Sequence, residues 1–546
     1  MSYFSRLKDK IKKIPIHIWI LAAIVLVGIF LRTYNFHDWM RFSRDQSRDA
    51  FIISNVIEGK EKLPLLGPLA GGTEFYLGPA YYYFSFVSAK MFGNYPDKMA
   101  YPSLFFSILA IPLMYFFLKE YFSRKNTLML TVIMSVSYFC VLNSRFSSNP
   151  NLAPFFVLLF LYALLKMLGS GEKILWRWPV LVGLALGIGV QIHTTLLAIM
   201  PIVSLVMFFY LLKKMGWGKI YPSLILVVAI ALAMNASQVV HEFNTGAKNT
   251  KAFFEGVEDQ KKSKSSTLKK IGTLLVCQAK TNAHIVASIK EAPECSDKMN
   301  FDLKKGSKEL YPEEENKYIR KTIFILNFSF VIIFFISGYG LLWYYLKKEK
   351  DPRKQNFLRI IALYNAVSLL ILLPVVDFIS INYFIIIFFV PFIFLGLLFQ
   401  LFSNKLNNYG KIIGIVLAII LVALSLGRNI KEADIYERGL NNNKNNSDLR
   451  IAEEISAYLI GNSSAEKIYF SGEKEYLERY AQPVKYIASR SGKEVIPVDI
   501  NDVDEDVDEE YFFYIKNHSL KTSGSIRGYE RMNSEMFYMI DIYILK

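Results

Sequence analysis

The chain has 546 residues, of which 53% are hydrophobic and 15% aromatic, and its mean hydropathy is +0.28. This composition is too apolar for an ordinary soluble enzyme and is typical of a membrane protein. The formal net charge is +16. Because the basic runs lack the interleaved aromatic residues of a base-stacking surface, we expect a lipid bilayer as partner and no nucleic acid.

Eleven apolar segments are long enough, or nearly so, to cross the core of a bilayer. The fifth is short and glycine-rich and meets the sixth at Gln191-Ile-His193 with almost no loop, so this pair can be broken or re-entrant. The segments are residues 16–33, 97–118, 126–142, 151–168, 178–192, 194–212, 219–240, 321–346, 357–378, 382–402 and 411–427.

The distribution of lysine and arginine over the short loops predicts the orientation of the chain. Residues 1–15 form a basic tail, and every second short loop is basic, whereas the loops between them hold Arg145 or no basic residue. The positive-inside rule then places the N-terminus in the cytoplasm and, with an odd number of spans, the C-terminus outside. We expect a multi-pass plasma membrane protein whose first span is an uncleaved signal anchor. Its predicted parts are the tail 1–15, a transmembrane domain 16–427 with external loops 34–96 and 241–320, and an external domain 428–546.

The first external loop begins with a charged helix. Ser43 followed by Gln46 is typical of a capping box, and the helix is expected to end near Gly59. The acids Asp45 and Asp49 and the bases Arg44 and Arg48 recur at helical spacing, which puts two carboxylates and two guanidiniums on roughly one face. A solvated juxtamembrane helix with internal ion pairs is the alternative interpretation.

The large external loop holds two of the three cysteines, Cys277 and Cys295, while Cys140 lies in an apolar segment. The predicted extracytoplasmic side is oxidising and the loop has an even number of cysteines, so a disulfide between the two is allowed. The sequence does not decide whether they pair. The lysine-rich run 261–270 in the same loop is predicted to face solvent or lipid head groups.

After residue 428 the pattern changes to that of a small α/β domain. Helices are predicted over 447–460 and 474–489, and strands over 467–470, 495–500, 511–515 and 537–545. The acidic run 502–510 lacks the turn glycine of a known calcium loop, so a solvated loop is favoured over a calcium site.

Several short motifs on the predicted outer face give the chain a family resemblance. They are the strap 65–84 with its Leu-Gly-Pro-Ala-Tyr-Tyr-Tyr sequence, and segments 144–156, 183–193, 241–247 and 381–391. Together with the Asp45 helix, they resemble the GT-C glycosyltransferases, specifically the group of protein O-mannosyltransferases and lipid A aminoarabinose transferases. The resemblance covers roughly residues 16–427. The family usually has Asp-Glu where this chain has Asp45-Gln46.

The resemblance implies a GT-C fold and an inverting transfer of a sugar from a polyprenyl-phosphate donor to an acceptor hydroxyl or phosphate. The acceptor can be a glycan, a lipid or a protein. A carboxylate must remove the acceptor's proton, and arginines must stabilise the departing lipid phosphate. We assign Asp45 as general base with Asp49 in reserve. The predicted phosphate-binding residues are Arg44, Arg48 and Arg145, although each alone can be an interfacial anchor.

Five further residues are predicted to line the substrate groove: Tyr76, Tyr81, His193, Glu242 and Tyr383. Each has a simpler explanation. The tyrosines can belong to the interfacial aromatic belt, the histidine can be satisfied by backbone, and the glutamate can be a surface carboxylate.

No residue spacing in the sequence predicts a metal site, so we expect no cofactor. A divalent metal stays an alternative, because GT-C enzymes with pyrophosphate-linked donors commonly need one. Two other functions stay open. The first is a lipid-linked sugar transporter or flippase, for which we see no clear internal repeat or mid-membrane charge. The second is a polysaccharide ligase with a pyrophosphate-linked donor. A scaffolding protein would leave the Asp45 helix unexplained.

Overall fold

The structure is a computed structural model. It describes residues 14–71, 73–170, 174–261, 265–289, 316–438, 448–498, 512–518, 525–526, 529–537 and 540–545. The basic tail before residue 14, Cys295 and the acidic run 502–510 lie outside these residues.

Eight of the described helices are long and apolar enough to cross a membrane, and a bent pair raises the number to nine. The eight are α1 (Ile16–Thr33), α4 (Pro96–Leu118), α7 (Asn149–Leu168), α9 (Leu196–Met215), α10 (Trp217–Met234), α14 (Lys317–Lys348), α15 (Pro352–Phe378) and α17 (Asn407–Glu437). The bent pair joins a 3-10 helix, Ile381–Ile387, to α16 (Val390–Lys405) at an angle of 62°. The prediction of a polytopic helical membrane protein is therefore confirmed.

The other two predicted spans are helices that fall short of a full crossing. The third is broken at Ser137 into α5 (Arg124–Val136) and α6 (Tyr138–Leu142), and the fifth is the 16-residue α8 (Arg177–Ile192). Glycines let α8 lie very close to α10, since a Cβ at Gly187 would come within 2.8 Å of Met234 Cβ.

Five further helices lie in the segments between the spans. They are α2 (Arg44–Ile57), α3 (Ala80–Phe92), α11 (Ala236–Thr245), α12 (Lys248–Lys261) and α13 (Thr267–Ala287). The last of these is not a surface loop, because it packs against α14, α16 and α17. Its buried Gln278 donates to Asn365 at 3.0 Å and accepts from Tyr339 at 2.8 Å. These bonds satisfy the polar groups inside the bundle.

Cys277 of α13 is disulfide-bonded, whereas Cys140 is free. The pairing of Cys277 with Cys295, which the sequence leaves open, involves a residue outside the described part of the chain.

A small α/β domain follows the bundle. Its elements are α18 (Leu449–Gly461), β1 (Lys467–Gly472), α19 (Lys474–Ser489), β2 (Glu494–Pro497), β3 (Phe512–Asn517), β4 (Ser525–Ile526), β5 (Tyr529–Phe537) and β6 (Ile540–Leu545). The strand order is β2-β1-β3-β6-β5-β4, with β1 parallel to β2 and β3 and the other pairs antiparallel. The predicted α/β domain is confirmed, and α17 continues past residue 427 to Glu437.

Candidate active site

Helix α2 starts where the sequence predicts. The backbone N–H of Ser43 donates to Gln46 Oε1 at 3.2 Å, which is one half of the predicted capping box. Gln46 therefore does in this chain what a glutamate does in the usual capping box, and it does so without a charge. The helix ends at Ile57, close to the expected Gly59.

Arg48 lies between the two candidate carboxylates. Its Nη1 donates to Asp45 Oδ1 at 3.1 Å, while its Nε and Nη2 donate to Asp49 Oδ1 at 2.9 and 2.8 Å. The Asp45 side chain is 72% exposed, that of Arg48 is 41% exposed and that of Asp49 is 7% exposed. The row thus runs from an open carboxylate, through a half-buried guanidinium, to a buried carboxylate. Arg44 lies at the exposed start of the helix.

Asp49 is held from the bundle side as well. The hydroxyl of Tyr82 on α3 donates to Asp49 Oδ1 at 2.9 Å. Burial raises the pKa of Asp49 to about 6, although Arg48 and Tyr82 both favour its ionised form. The same carboxylate holds the pKa of Arg48 above its ordinary value. The sequence predicts Tyr81 and not Tyr82 as a site residue, because a run of three tyrosines gives no sign of which one faces α2.

Tyr81 points to a different partner. Its buried hydroxyl lies 2.7 Å from Ser147 Oγ, which itself donates to the backbone carbonyl of Met99. Tyr81 and Asp49 line the same cavity, whose volume of about 10 Å³ has room for about one water molecule. Two predicted site residues are therefore close together beneath α2.

Arg145 is bonded to the backbone at the end of α1 through both Nη1 and Nη2. Its guanidinium donates to the carbonyls of Leu31 and Arg32 at 3.2 Å, and to those of Tyr34 and Asn35 at 2.7 and 2.9 Å. Burial lowers its pKa to about 10. These bonds satisfy the carbonyls that a helix leaves open at its C-terminus. In this arrangement Arg145 caps α1, and its predicted binding of the donor phosphate stays a prediction.

His193 and Tyr383 are brought together by the fold. Their rings meet edge to face with centroids 5.5 Å apart. His193 Nδ1 accepts from the backbone N–H of Thr195 at 3.2 Å, and burial lowers the pKa of this histidine to about 4. The imidazole is therefore neutral at physiological pH. It can donate through Nε2 but contributes no positive charge.

Glu242 lines a separate groove, and Tyr76 is bonded to Asn249, a residue of the groove's wall. Glu242 lines an apolar groove of about 470 Å³ beside α11 and α12, and its carboxylate accepts from the N–H of Thr250 at 3.3 Å. Tyr76 is fixed next to it through its backbone, since Asn249 bonds both its N–H at 2.8 Å and its carbonyl at 2.9 Å.

The C-terminal domain packs directly on α2, a contact that the sequence did not reveal. Tyr486 of α19 is 1% exposed, and its ring lies edge-on to Phe42 and Phe51 at centroid distances of 5.6 and 5.0 Å. Its hydroxyl lies 2.8 Å from Ser54 Oγ. Because Ser54 already donates to Asn94, the tyrosine is the donor of this bond. The helix with Asp45 and Asp49 is thus supported from both sides.

A charged contact joins the two domains next to Tyr486. His37 Nδ1 lies 3.4 Å from Asp97 Oδ2, and its Nε2 lies 3.2 Å from Glu453 Oε2. The Tyr95 hydroxyl also donates to Glu453. Hydrogen bonds to these two carboxylates raise the pKa of His37 to about 10, so it is protonated at neutral pH.

Among the described residues, no group of three or more His, Cys, Asp or Glu side chains is arranged to hold a metal ion. The expectation that the protein needs no cofactor stays a prediction.

Residues 77–240 match the sequence model of the dolichyl-phosphate-mannose-protein mannosyltransferase family. The fold is similar to that of ArnT from Cupriavidus metallidurans bound to undecaprenyl phosphate, with a TM-score of 0.53 and 10% identity over 96% of this chain and 97% of that one. The chain has the GT-C fold. The predicted resemblance is therefore confirmed.

A second GT-C structure is similar over a large part of this chain. It is the oligosaccharyltransferase from Archaeoglobus fulgidus in complex with Zn and sulfate, with a TM-score of 0.51 and 12% identity. The match covers 88% of this chain and 62% of the archaeal one, so this GT-C chain spans less than two thirds of that relative. No curated protein matches by sequence. Together, the family match and the fold support a glycosyltransferase with a lipid-linked donor.

Proposed function

We propose that the chain is an inverting glycosyltransferase that moves a sugar from a polyprenyl-phosphate donor to an acceptor hydroxyl or phosphate on the extracytoplasmic face. The row of Asp45, Arg48 and Asp49 carries this proposal. It combines an exposed carboxylate with a neighbouring guanidinium on the GT-C scaffold.

Asp45 fits the role of general base better than Asp49. The accessible carboxylate of Asp45 can reach an acceptor, whereas Asp49 is buried and its Oδ1 accepts from Arg48 and Tyr82. In the proposed step Asp45 removes the acceptor's proton as the acceptor oxygen bonds to the anomeric carbon. The bond between that carbon and the phosphate oxygen breaks, and the electron pair leaves with the polyprenyl phosphate.

Arg48 and Arg44 are the proposed partners of the departing phosphate. Asp49 accepts from Nε and Nη2 of Arg48, which fixes the plane of the guanidinium. Nη1 then points towards Asp45 and donates to it. A preorganised guanidinium stabilises charge that develops in the transition state without reorganising during the reaction. Its positive charge also disfavours a divalent cation at Asp45, so we propose a metal-independent reaction.

Two observations support the donor class and the membrane face. ArnT binds undecaprenyl phosphate, a polyprenyl phosphate, and has a similar fold. Cys277 is disulfide-bonded, and structural disulfides persist mainly in oxidising compartments outside the cytoplasm. Both agree with an acceptor, whether glycan, lipid or protein, that is met outside the cytoplasm. We propose that His193, Tyr383, Tyr81, Tyr76 and Glu242 line the approach of the substrates.

The experiment is sugar transfer by the purified protein in liposomes from a panel of radiolabelled polyprenyl-phosphate sugars, with and without a chelator. Wild type is compared with Asp45→Asn and with Asp38→Asn, a matched control in the same external loop. We expect transfer to be lost in Asp45→Asn, unchanged in Asp38→Asn and insensitive to the chelator.

Equal activity of Asp45→Asn and wild type would overturn the role of Asp45. A wild-type protein that binds the lipid-linked sugar and moves it across the bilayer without transfer or hydrolysis would show a carrier instead of a transferase.

A further inference from the structure

A basic cavity lies on the membrane face opposite the candidate active site. Its volume is about 320 Å³, and its walls come from the segment 121–129, from Lys354, from α16 and from the start of α17. Helix α4 shows where this cavity lies relative to the candidate active site. Pro96 at one end of α4 lines the small cavity with Asp49, whereas Tyr121, just beyond the other end, lines the basic cavity. A helix of this length spans about 33 Å.

Three lysines, Lys125, Lys354 and Lys411, line the cavity, and no carboxylate is among its lining residues. In the part of the chain that the structure describes, none of the three forms an ion pair. The carboxylates nearby, Glu349 and Asp351, lie outside the wall and accept bonds from backbone N–H groups. The cavity therefore has a net positive charge with room for an anion.

The wall changes from polar to apolar with depth. From Ser123, the N-cap of α5, the lining residues Asn126 and Met129 follow at intervals of three, so this part of the wall descends about 9 Å into the bundle. Phe399 and Gly414 continue the apolar part of the wall. A free phosphate needs only the charged rim, whereas a phospholipid has a phosphate and a glycerol backbone with acyl chains below it.

The inner end of the cavity is suitable for the start of the acyl chains. Its wall there is formed by Met129, Phe399 and Gly414. The exposed apolar residues Val416, Ile419, Ile420 and Leu424 of α17 lie on the side of that helix turned away from Gly414, so they belong to the surface outside the cavity.

We propose that this cavity is a binding site for the head group of an anionic phospholipid. Basic pockets between transmembrane helices recognise such head groups, and each lysine near an anionic surface strengthens binding by roughly fivefold. The site is independent of the transferase reaction proposed above.

The test is native mass spectrometry of the delipidated protein, titrated with dioleoylphosphatidylglycerol, dioleoylphosphatidylcholine and glycerol 3-phosphate. The triple variant Lys125→Gln, Lys354→Gln and Lys411→Gln is compared with a control triple, Lys213→Gln, Lys347→Gln and Lys350→Gln. The control removes the same charge from exposed positions on the same face but outside the cavity.

The cavity triple is expected to weaken the tightest phosphatidylglycerol binding at least tenfold, and the control triple by less than twofold. Phosphatidylcholine and glycerol 3-phosphate are expected to bind wild type at least tenfold more weakly than phosphatidylglycerol. Equal losses in both triples would overturn the proposal, because general surface charge would then explain the binding. Glycerol 3-phosphate that binds as tightly as the lipid would also overturn it and would show a site for soluble anions.

A second variant tests the apolar end of the cavity without changing charge. A Cβ at Gly414 would lie 3.6 Å from Phe399 Cδ1, which is an ordinary contact, so Gly414→Leu is expected to fold. Its side chain should fill the inner cavity and weaken phosphatidylglycerol binding at least fivefold. Unchanged affinity in a variant with a wild-type thermal midpoint would contradict insertion of the lipid at this end.

Discussion

The hydrogen bond from Tyr82 to Asp49 can be tested without knowing any substrate. Tyr82→Phe removes the hydroxyl that donates to Asp49 Oδ1 at 2.9 Å and leaves the ring in place. A hydrogen bond to a charged group contributes about 1.5–3 kcal/mol, and 1.36 kcal/mol corresponds to one pKa unit. Since the bond favours the ionised carboxylate, its loss should raise the pKa of Asp49 from about 6 to about 7–8.

The measurement is infrared difference spectroscopy of the carboxylic acid C=O band as a function of pH. Asp49→Asn identifies the band by its disappearance. Tyr83→Phe is the matched control, since Tyr83 lies on the same helix but donates to the carbonyl of Pro64 at 3.0 Å. We expect the titration midpoint of the Asp49 band to rise by about one to two pH units in Tyr82→Phe and to be unchanged in Tyr83→Phe. A midpoint that is unchanged in Tyr82→Phe would refute the argument that this bond stabilises the charged Asp49.

Three further predictions concern stability, measured by thermal unfolding in detergent. Gly67→Ala should lower the midpoint of thermal unfolding strongly, because its Cβ would come within 2.0 Å of a backbone carbonyl oxygen. Gly71→Ala is the control and should have little effect, because no atom lies within 4 Å of its Cβ. Equal effects of the two substitutions would contradict this geometry. His37 has a pKa near 10 in the fold against 6.5 ordinarily, so its stabilising contribution is fully present below pH 6.5 and is lost as the pH rises through 10. His37→Gln should flatten this pH dependence, and a dependence equal to that of wild type would refute the assignment. Tyr486→Phe should cost about 0.5–1.5 kcal/mol, and its effect should not add to that of Ser54→Ala; additive effects would show that the two hydroxyls are not coupled.

Local patterns in the sequence predicted the local parts of the site. The spacing of Ser43 and Gln46 gave the start of α2, and the spacing of Asp45, Arg48 and Asp49 put these side chains within reach of one another. Such contacts depend only on the helix itself. They could therefore be predicted before anything was known about the rest of the fold.

Contacts between distant segments could not be predicted in this way. Tyr82 and Tyr486 contact α2 from other segments of the chain. No local sequence pattern shows which way these side chains point. The predicted role of Arg145 rests on its place in a predicted external loop, whereas its partners in the structure are the carbonyls at the end of α1. The sequence does not predict strand β5, because Tyr529 to Phe537 alternates too weakly between apolar and polar residues.

The packing of Tyr486 against α2 has a consequence for the order in which the protein matures. Helix α2 emerges early in synthesis, but the α19 side chain that covers it is made more than four hundred residues later. Until that segment has been made and has folded, one side of α2 lacks its partner. The ribosome therefore delivers the candidate catalytic helix long before it delivers the surface that holds it, and a chain stalled after α17 would reach the bilayer without that support.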